Sequence, residues 1–201
     1  MTDLLDEWIE ALAVRGDAET AGDHVVRIVR ACDGISLHNH ADELAALFRR
    51  IEGDNERARR VSTWATNCAT FADAALTLAG APPGCRLLDP LRVGVAMTQL
   101  REGAKAGRLP GTQWRSLRAG WLMIYWSGAG NDAHAEFCLT TPDAVGVAEH
   151  GGGGRPDNAI TCSKAPESIL WSHGRRLQEI YDPERIATAP DRRYLPGIPF
   201  V

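Results

Sequence analysis

The sequence predicts an α+β fold, N-terminal helices followed by an antiparallel β-sheet, on three observations. From Leu4 to about Lys105, apolar residues recur at three- and four-residue intervals between Gly, Asp-Gly and Pro-Pro-Gly breaks. From Arg118 onward the texture changes to short apolar and aromatic runs separated by small-residue turns. The helical and strand signals are segregated along the chain instead of alternating, which argues against βαβ units. A length of 201 residues supports a core and a cleft. Residues 1–55 read as a helical region packed on the core, and 56–201 as the main domain ending in an extended tail.

Leu4, Leu5, Trp8, Ile9, Leu12 and Ala13 predict a first helix, ended by Gly16. Val25, Val26, Ile28 and Val29 mark a second, from about Ala18 to Cys32. Leu44, Leu47, Phe48 and Ile51 mark a third, over Ala41 to Ile51. His38-Asn39-His40, with Asp42 nearby, could begin a metal site. No third ligand is placed by sequence, so loop histidines at a helix start are the simpler reading and no metal is expected. His24 and His173 are expected to face solvent.

Asn55 to Arg60 suggests a short charged helix leading into Ser62–Gly80. The first part of that stretch is polar and aperiodic. The second places Phe71, Ala75, Leu78 and Ala79 on one helical face before Gly80 and Pro82 stop it. After Pro82-Pro83-Gly84, Asp89 is a candidate N-cap and Pro90 the first residue of a helix running to about Lys105, with Leu91, Val95 and Leu100 inward.

Three strands are then expected: Gly120–Trp126, His134–Thr140 and Val145–His150. Gly151 to Asn158 reads as a mobile glycine-rich loop, without the lysine and spacing of a phosphate loop. Thr161–Ser163 and Ser168–Trp171 could be edge pieces. Leu177–Tyr181 is a last β-prone run, turned by Asp182-Pro183, and Pro190 to Val201 an extended tail.

Composition narrows the function. The hydrophobic share of 44% and charged share of 24% are ordinary for a globular protein, and a net charge of −4 argues against nucleic acid as a partner. Five cysteines (Cys32, Cys68, Cys85, Cys138, Cys162), an odd number without C-x-x-C spacing, suggest neither a disulfide framework nor a zinc knuckle. The acidic, amphipathic N-terminus lacks the features of a secretory signal, and no apolar run reaches the ~20 residues of a membrane helix. The expectation is synthesis in the cytoplasm, without membrane insertion; action outside a cell would need a phage or secretion machine to deliver or release the protein.

Cys68 sits where loop becomes helix. Unpaired backbone N–H groups and the positive end of the helix dipole both favour thiolate there. A thiolate nucleophile needs a base within hydrogen-bond reach and a third group to hold that base. His134 opens a strand after a glycine-rich turn and is the candidate base. His150 closes the next strand and can return to the same rim; Glu149 and Asp132 are alternative third residues. Asn67 and Trp64, just before the cysteine, are candidates for the oxyanion and substrate side. Trp121, Tyr125 and Trp126 are expected in the core, and the other four cysteines are expected to be structural.

A helix-start cysteine, a Gly-x-apolar strand (Gly120-Trp121-Leu122), a small-residue turn, a histidine opening the next strand and a polar residue closing the one after resemble the NlpC/P60 and CHAP group of papain-like cysteine peptidases and amidases. The resemblance spans roughly Thr63 to His150. It implies a papain-like core, no cofactor, Cys68 as nucleophile, His134 as base and His150 as orienting residue. It also implies cleavage of an amide through a thioester, most often in peptidoglycan stem peptides, and a possible inhibitor or immunity protein as partner. The family's cysteine is commonly preceded by aspartate or serine and followed by serine; here the neighbours are Asn67 and Ala69. That leaves two alternatives: a non-catalytic binding, immunity or virion structural protein on the same scaffold, and a transglutaminase-like thiol acyltransferase with Asp143 or Asp132 as third residue.

Overall fold

The computed structural model describes residues 2–53, 55–82, 93–111, 114–126, 133–154, 159–166 and 176–190. Its α-helices are α1 (Thr2–Ala13), α2 (Ala21–Ala31), α3 (Ala41–Glu52), α4 (Glu56–Ser62), α5 (Cys68–Leu78), α6 (Val93–Gly103) and α7 (Pro183–Ala187). Its strands are β1 (Leu122–Trp126), β2 (Ala133–Cys138), β3 (Val147–Gly152), β4 (Thr161–Pro166) and β5 (Arg176–Tyr181). The expected order of helices before sheet is what the chain adopts.

Local chemistry sets the helix starts. Thr20 accepts from the Asp23 N–H while the Asp23 carboxylate accepts from the Thr20 N–H, so α2 begins at Ala21, three residues later than its apolar pattern suggested. Asn55 caps α4 by accepting from Ala58 N–H. The cap expected at Asp89-Pro90, and Leu91 with it, lie outside the described residues. Within α6, Leu100 is buried as expected. Asp182-Pro183, read as a turn, instead starts α7: Asp182 accepts from Glu184 N–H and Pro183 supplies the fixed φ of a first helical residue.

The sheet has the order β4-β3-β2-β1-β5. Strands β1 to β4 form an antiparallel meander, and β5 returns to pair antiparallel with the other edge of β1. Strand alternation divides side chains between two cores. Leu122, Ile124, Ala135 and Phe137 pack under the helices with Val25, Val29, Phe71, Ala75 and Leu100. On the opposite face Met123, Tyr125, Cys138, Ala148, Leu177 and Ile180 pack with Trp114 and Leu117, which precede β1. Each fully buried large side chain, Phe71 or Phe137 for example, contributes about 1.5–3 kcal/mol.

The first fifty residues belong to the same core as the sheet, since Val25, Ile28, Leu44, Leu47 and Phe48 join α5 residues in one cluster. Polar contacts reinforce the junction. The Cys162 N–H donates to Asp33 Oδ1 at 2.7 Å, and Arg30 Nη2 pairs with Glu149 Oε2 at 2.6 Å. Gly120 touches the start of α2 so closely that a Cβ on it would lie 2.3 Å from Gly22 Cα.

His24 does not face solvent. It is fully buried, and its Nε2–H donates to Leu12 O at 2.6 Å, closing the C-terminus of α1 together with Arg27, which donates to the Ala11 and Val14 carbonyls. Tertiary packing overrode the polar pattern because those carbonyls needed donors. His40 Nδ1 accepts from Ser36 N–H at 3.2 Å, and among the described residues no group of three or more metal-ligating side chains gathers. No described helix is long and apolar enough to cross a membrane. His173, Ser168–Trp171, Cys85 and the tail beyond Pro190 lie outside the described residues.

Candidate active site

The turn between α4 and α5 delivers Cys68. Trp64 to Asn67 coil tightly, with Asn67 N–H donating to Trp64 O at 2.8 Å. Asn67 then leaves the helical region (φ −64, ψ 139), and its Oδ1 accepts from Ala69 N–H at 3.1 Å. Cys68 therefore opens α5, and its N–H has no acceptor within the helix. Every residue from Cys68 to Leu76 is buried, so the whole first two turns lie within the protein and the dipole's positive end is little screened by water. Cys68 itself is only 7% exposed.

The sheet opens to admit this helix end. The β2–β3 ladder pairs Cys138 with His150 and Phe137 with Gly151. Beyond it, the chain runs along Thr66–Cys68 instead. A Cβ on Gly153 would lie 2.2 Å from Thr66 O, and one on Gly154 would lie 3.3 Å from both Cys68 N and Cys68 Cβ and 3.7 Å from His134 Cε1. The expectation of a mobile loop from Gly151 is thus corrected for its first half. Gly151 and Gly152 are strand residues and Gly153 is packed backbone to backbone; residues 155–158 lie outside the described residues. Here glycine serves close approach of two backbones, not flexibility.

Cys68 and His134 come together. His134, second residue of β2, lies within electrostatic reach of the Cys68 sulfur, as do the Ala135 and Ala69 N–H groups, and all three favour its thiolate. The His134 Nε2 is held at 2.7 Å by Glu136 Oε1, which leaves Nδ1 as the ring nitrogen for sulfur. Glu136 stands two residues along the same strand, hence on the same face. Its other oxygen, Oε2, takes His150 Nδ1 at 2.7 Å, and His150 Nε2 lies 3.2 Å from Ser163 Oγ on β4. The chain of contacts is Cys68, His134, Glu136, His150, Ser163.

Electrostatics follow from these contacts. Burial disfavours charge on Cys68, but the His134 hydrogen bond and charge, with the two backbone donors, outweigh it and bring the thiol below its ordinary 9.0. Burial would also depress His134, yet its bonds to Cys68 and Glu136 push it up to about 9. Glu136 is 1% exposed, and burial alone would raise its pKa. Two imidazole donors reverse that, holding it well below the ordinary carboxylate range. Both shifts act in the direction of a thiolate beside an imidazolium, backed by a carboxylate. By contrast, burial pushes Cys32, Cys138 and Cys162 each up to about 12.

The other expected residues divide. His150 reaches the cluster but is separated from His134 by Glu136, so it does not itself touch the candidate base. Glu149 faces the other side of β3, paired with Arg30, and is not available as a third residue. Asp132 lies outside the described residues. Asp143 Oδ1 accepts from Val145 and Val147 N–H and stays in its own turn. The Asn67 side-chain oxygen is committed to capping, while Trp64, 36% exposed, stands at the surface of the turn before Cys68.

Glu136 was not among the residues read from sequence. Its signal was present: a glutamate inside an apolar strand, two positions from the candidate base, must share that base's face and needs a buried partner. No known family model, curated protein or solved structure matches this chain.

Proposed function

We propose that this protein is a cysteine hydrolase that cleaves an amide bond through a thioester, with Cys68 as nucleophile, His134 as base and then acid, and Glu136 as the group that orients the ring. The observation that carries the reading is the placement of a helix-opening thiol against an imidazole whose far nitrogen is fixed on a buried carboxylate. Structural cysteines do not need that arrangement. The other three described ones lie in surroundings that keep them protonated.

In the reaction the Cys68 thiolate attacks the carbonyl carbon, and the electron pair of the C=O moves to oxygen. That oxyanion is stabilised by the Cys68 N–H and the positive end of α5. His134 gives the Nδ1 proton to the departing amine as the C–N bond breaks, leaving a thioester. Water then loses a proton to His134 while attacking the thioester, and the C–S bond breaks to release the acid and restore the ion pair. Glu136 holds the ring in one tautomer throughout and offsets its positive charge.

A second reading is favoured by one observation. The group on His134 is a carboxylate, as in a thiol acyltransferase with an acidic third residue, so an amine could replace water in the second step. Incubation with peptidoglycan fragments, peptide amides and glutamine-containing peptides, with and without a primary amine, separates the two. Intact-mass detection of an acyl adduct confined to Cys68 supports both. Hydrolysis alone supports the first, and amine incorporation the second. Turnover that survives Cys68→Ala contradicts both.

A further inference from the structure

Glu136 is a buried carboxylate with an imidazole on each oxygen, at 2.7 Å on both sides, although orienting His134 requires only one of them. We propose that His150 is a positioning residue that acts on Cys68 through Glu136, by occupying the second oxygen and so keeping the carboxylate anionic against the His134 ring. This deepens the thiol-hydrolase reading and rests on it.

The physical argument runs from burial. A carboxylate 1% exposed keeps its charge only with donors around it. Removing one of its two imidazole donors raises the carboxyl's proton affinity, and a protonated Glu136 no longer stabilises imidazolium on His134. The thiolate loses its counter-ion in turn, so the thiol's proton is released at higher pH. His150 is built for the task. It is 1% exposed and held at both ends of the ring, with Nδ1 2.7 Å from Glu136 Oε2 and Nε2 3.2 Å from Ser163 Oγ.

Other titratable groups flank it on the neighbouring described elements. On β2 His150 faces Glu136 and, across the register, Cys138, whose thiol burial pushes up to about 12. On β4 it registers with Ser163, flanked by Cys162, also pushed up to about 12, and by exposed Lys164, which registers with Glu149. On α2, Arg30 is paired with Glu149, across the strand. Beside Trp114 and Leu117, which cover this face, Arg115 and Arg118 are exposed.

The test is the pH profile of iodoacetamide labelling at Cys68 in the full chain, which needs no substrate. His150→Leu keeps bulk and removes the donor; the midpoint should move up by about one unit, so that labelling at pH values below the wild-type midpoint slows about tenfold. His150→Asn returns an N–H near the Nδ1 position and should stay within about threefold of wild type. A purely structural role would lower thermal stability without moving the midpoint. If His150→Leu folds, judged by near-ultraviolet circular dichroism, and keeps the wild-type midpoint, the proposal is overturned. If it does not fold, His150→Gln, whose amide sits at the wrong ring position, is compared with His150→Asn: a higher midpoint for Gln supports the proposal and equal midpoints overturn it. Failure of wild-type Cys68 to label ahead of the other thiols would instead remove the underlying reading.

Discussion

Glu136 and His134 share one face of β2, two residues apart, and Glu136 Oε1 meets the ring Nε2 at 2.7 Å inside the protein. The carboxylate proposed to orient the base therefore comes from that base's own strand, and no loop or domain movement is needed to assemble the pair. Glu136→Gln keeps the shape and removes the charge. Turnover on a responsive amide should fall about 10²- to 10⁴-fold, with the larger loss if the amide reverses the ring's tautomer. The labelling midpoint of Cys68 should rise in the same variant. Unchanged turnover would exclude Glu136 from the mechanism.

Cys68→Ala should abolish hydrolysis and any acyl adduct. It removes one sulfur atom from a site whose neighbours are backbone and imidazole, so thermal stability should change by no more than about 1–2 kcal/mol, in either direction. Calorimetry and intact mass on the same preparation check both halves. Loss of the fold together with activity would mark Cys68 as a packing residue.

Stability falls on the acid side. Burial, with the Arg27 charge nearby, depresses His24 below its ordinary 6.5, so the unfolded chain takes up a proton there that the folded one refuses, and stability falls as pH drops below about that value. Glu136, Glu179 and Glu19, the last held at about 2 by Arg27, are all lowered from an ordinary 4.5, which adds a second loss below that pH. The melting temperature should therefore fall in two stages on acidification. His24→Gln should flatten the first stage and Glu136→Gln part of the second; identical slopes in both variants would contradict the assignments.

Gly153→Ala should be far more damaging than Gly111→Ala. Both add one methyl. At 153 it would lie 2.2 Å from Thr66 O, in backbone that positions the nucleophile; at 111 nothing lies within 4 Å and the cost is the positive φ of 86° alone. The expected losses are several kcal/mol with slowed Cys68 labelling at 153, against about 1 kcal/mol with normal labelling at 111. Denaturant titration decides it.

Much of the architecture was legible because local signals agreed with tertiary demand. The Leu4 to Ala13 and Ala41 to Ile51 patterns, the Asn67-Cys68 boundary and the three strands after Arg118 all lie close to where periodicity and caps put them. What sequence could not supply was the set of approaches between distant backbones. Four glycines in a row look mobile until Thr66 and Val29 are found against them, and His24 looks polar until the end of α1 is found to need its proton. At the site, Cys68 and His134 were readable from position on their elements. Glu136 required asking which residue shares a face with the base, and the answer lay on the same strand.

The most direct measurement is the second-order rate constant of iodoacetamide with Cys68, resolved by peptide mass spectrometry from pH 4 to 10 in the native protein. The thiolate–imidazolium pair predicts labelling at Cys68 well ahead of Cys32, Cys138 and Cys162 at pH 6, with little further gain until His134 loses its proton near 9. A Cys68 rate that rises tenfold per unit up to the ordinary thiol range, in step with the others, would contradict the account.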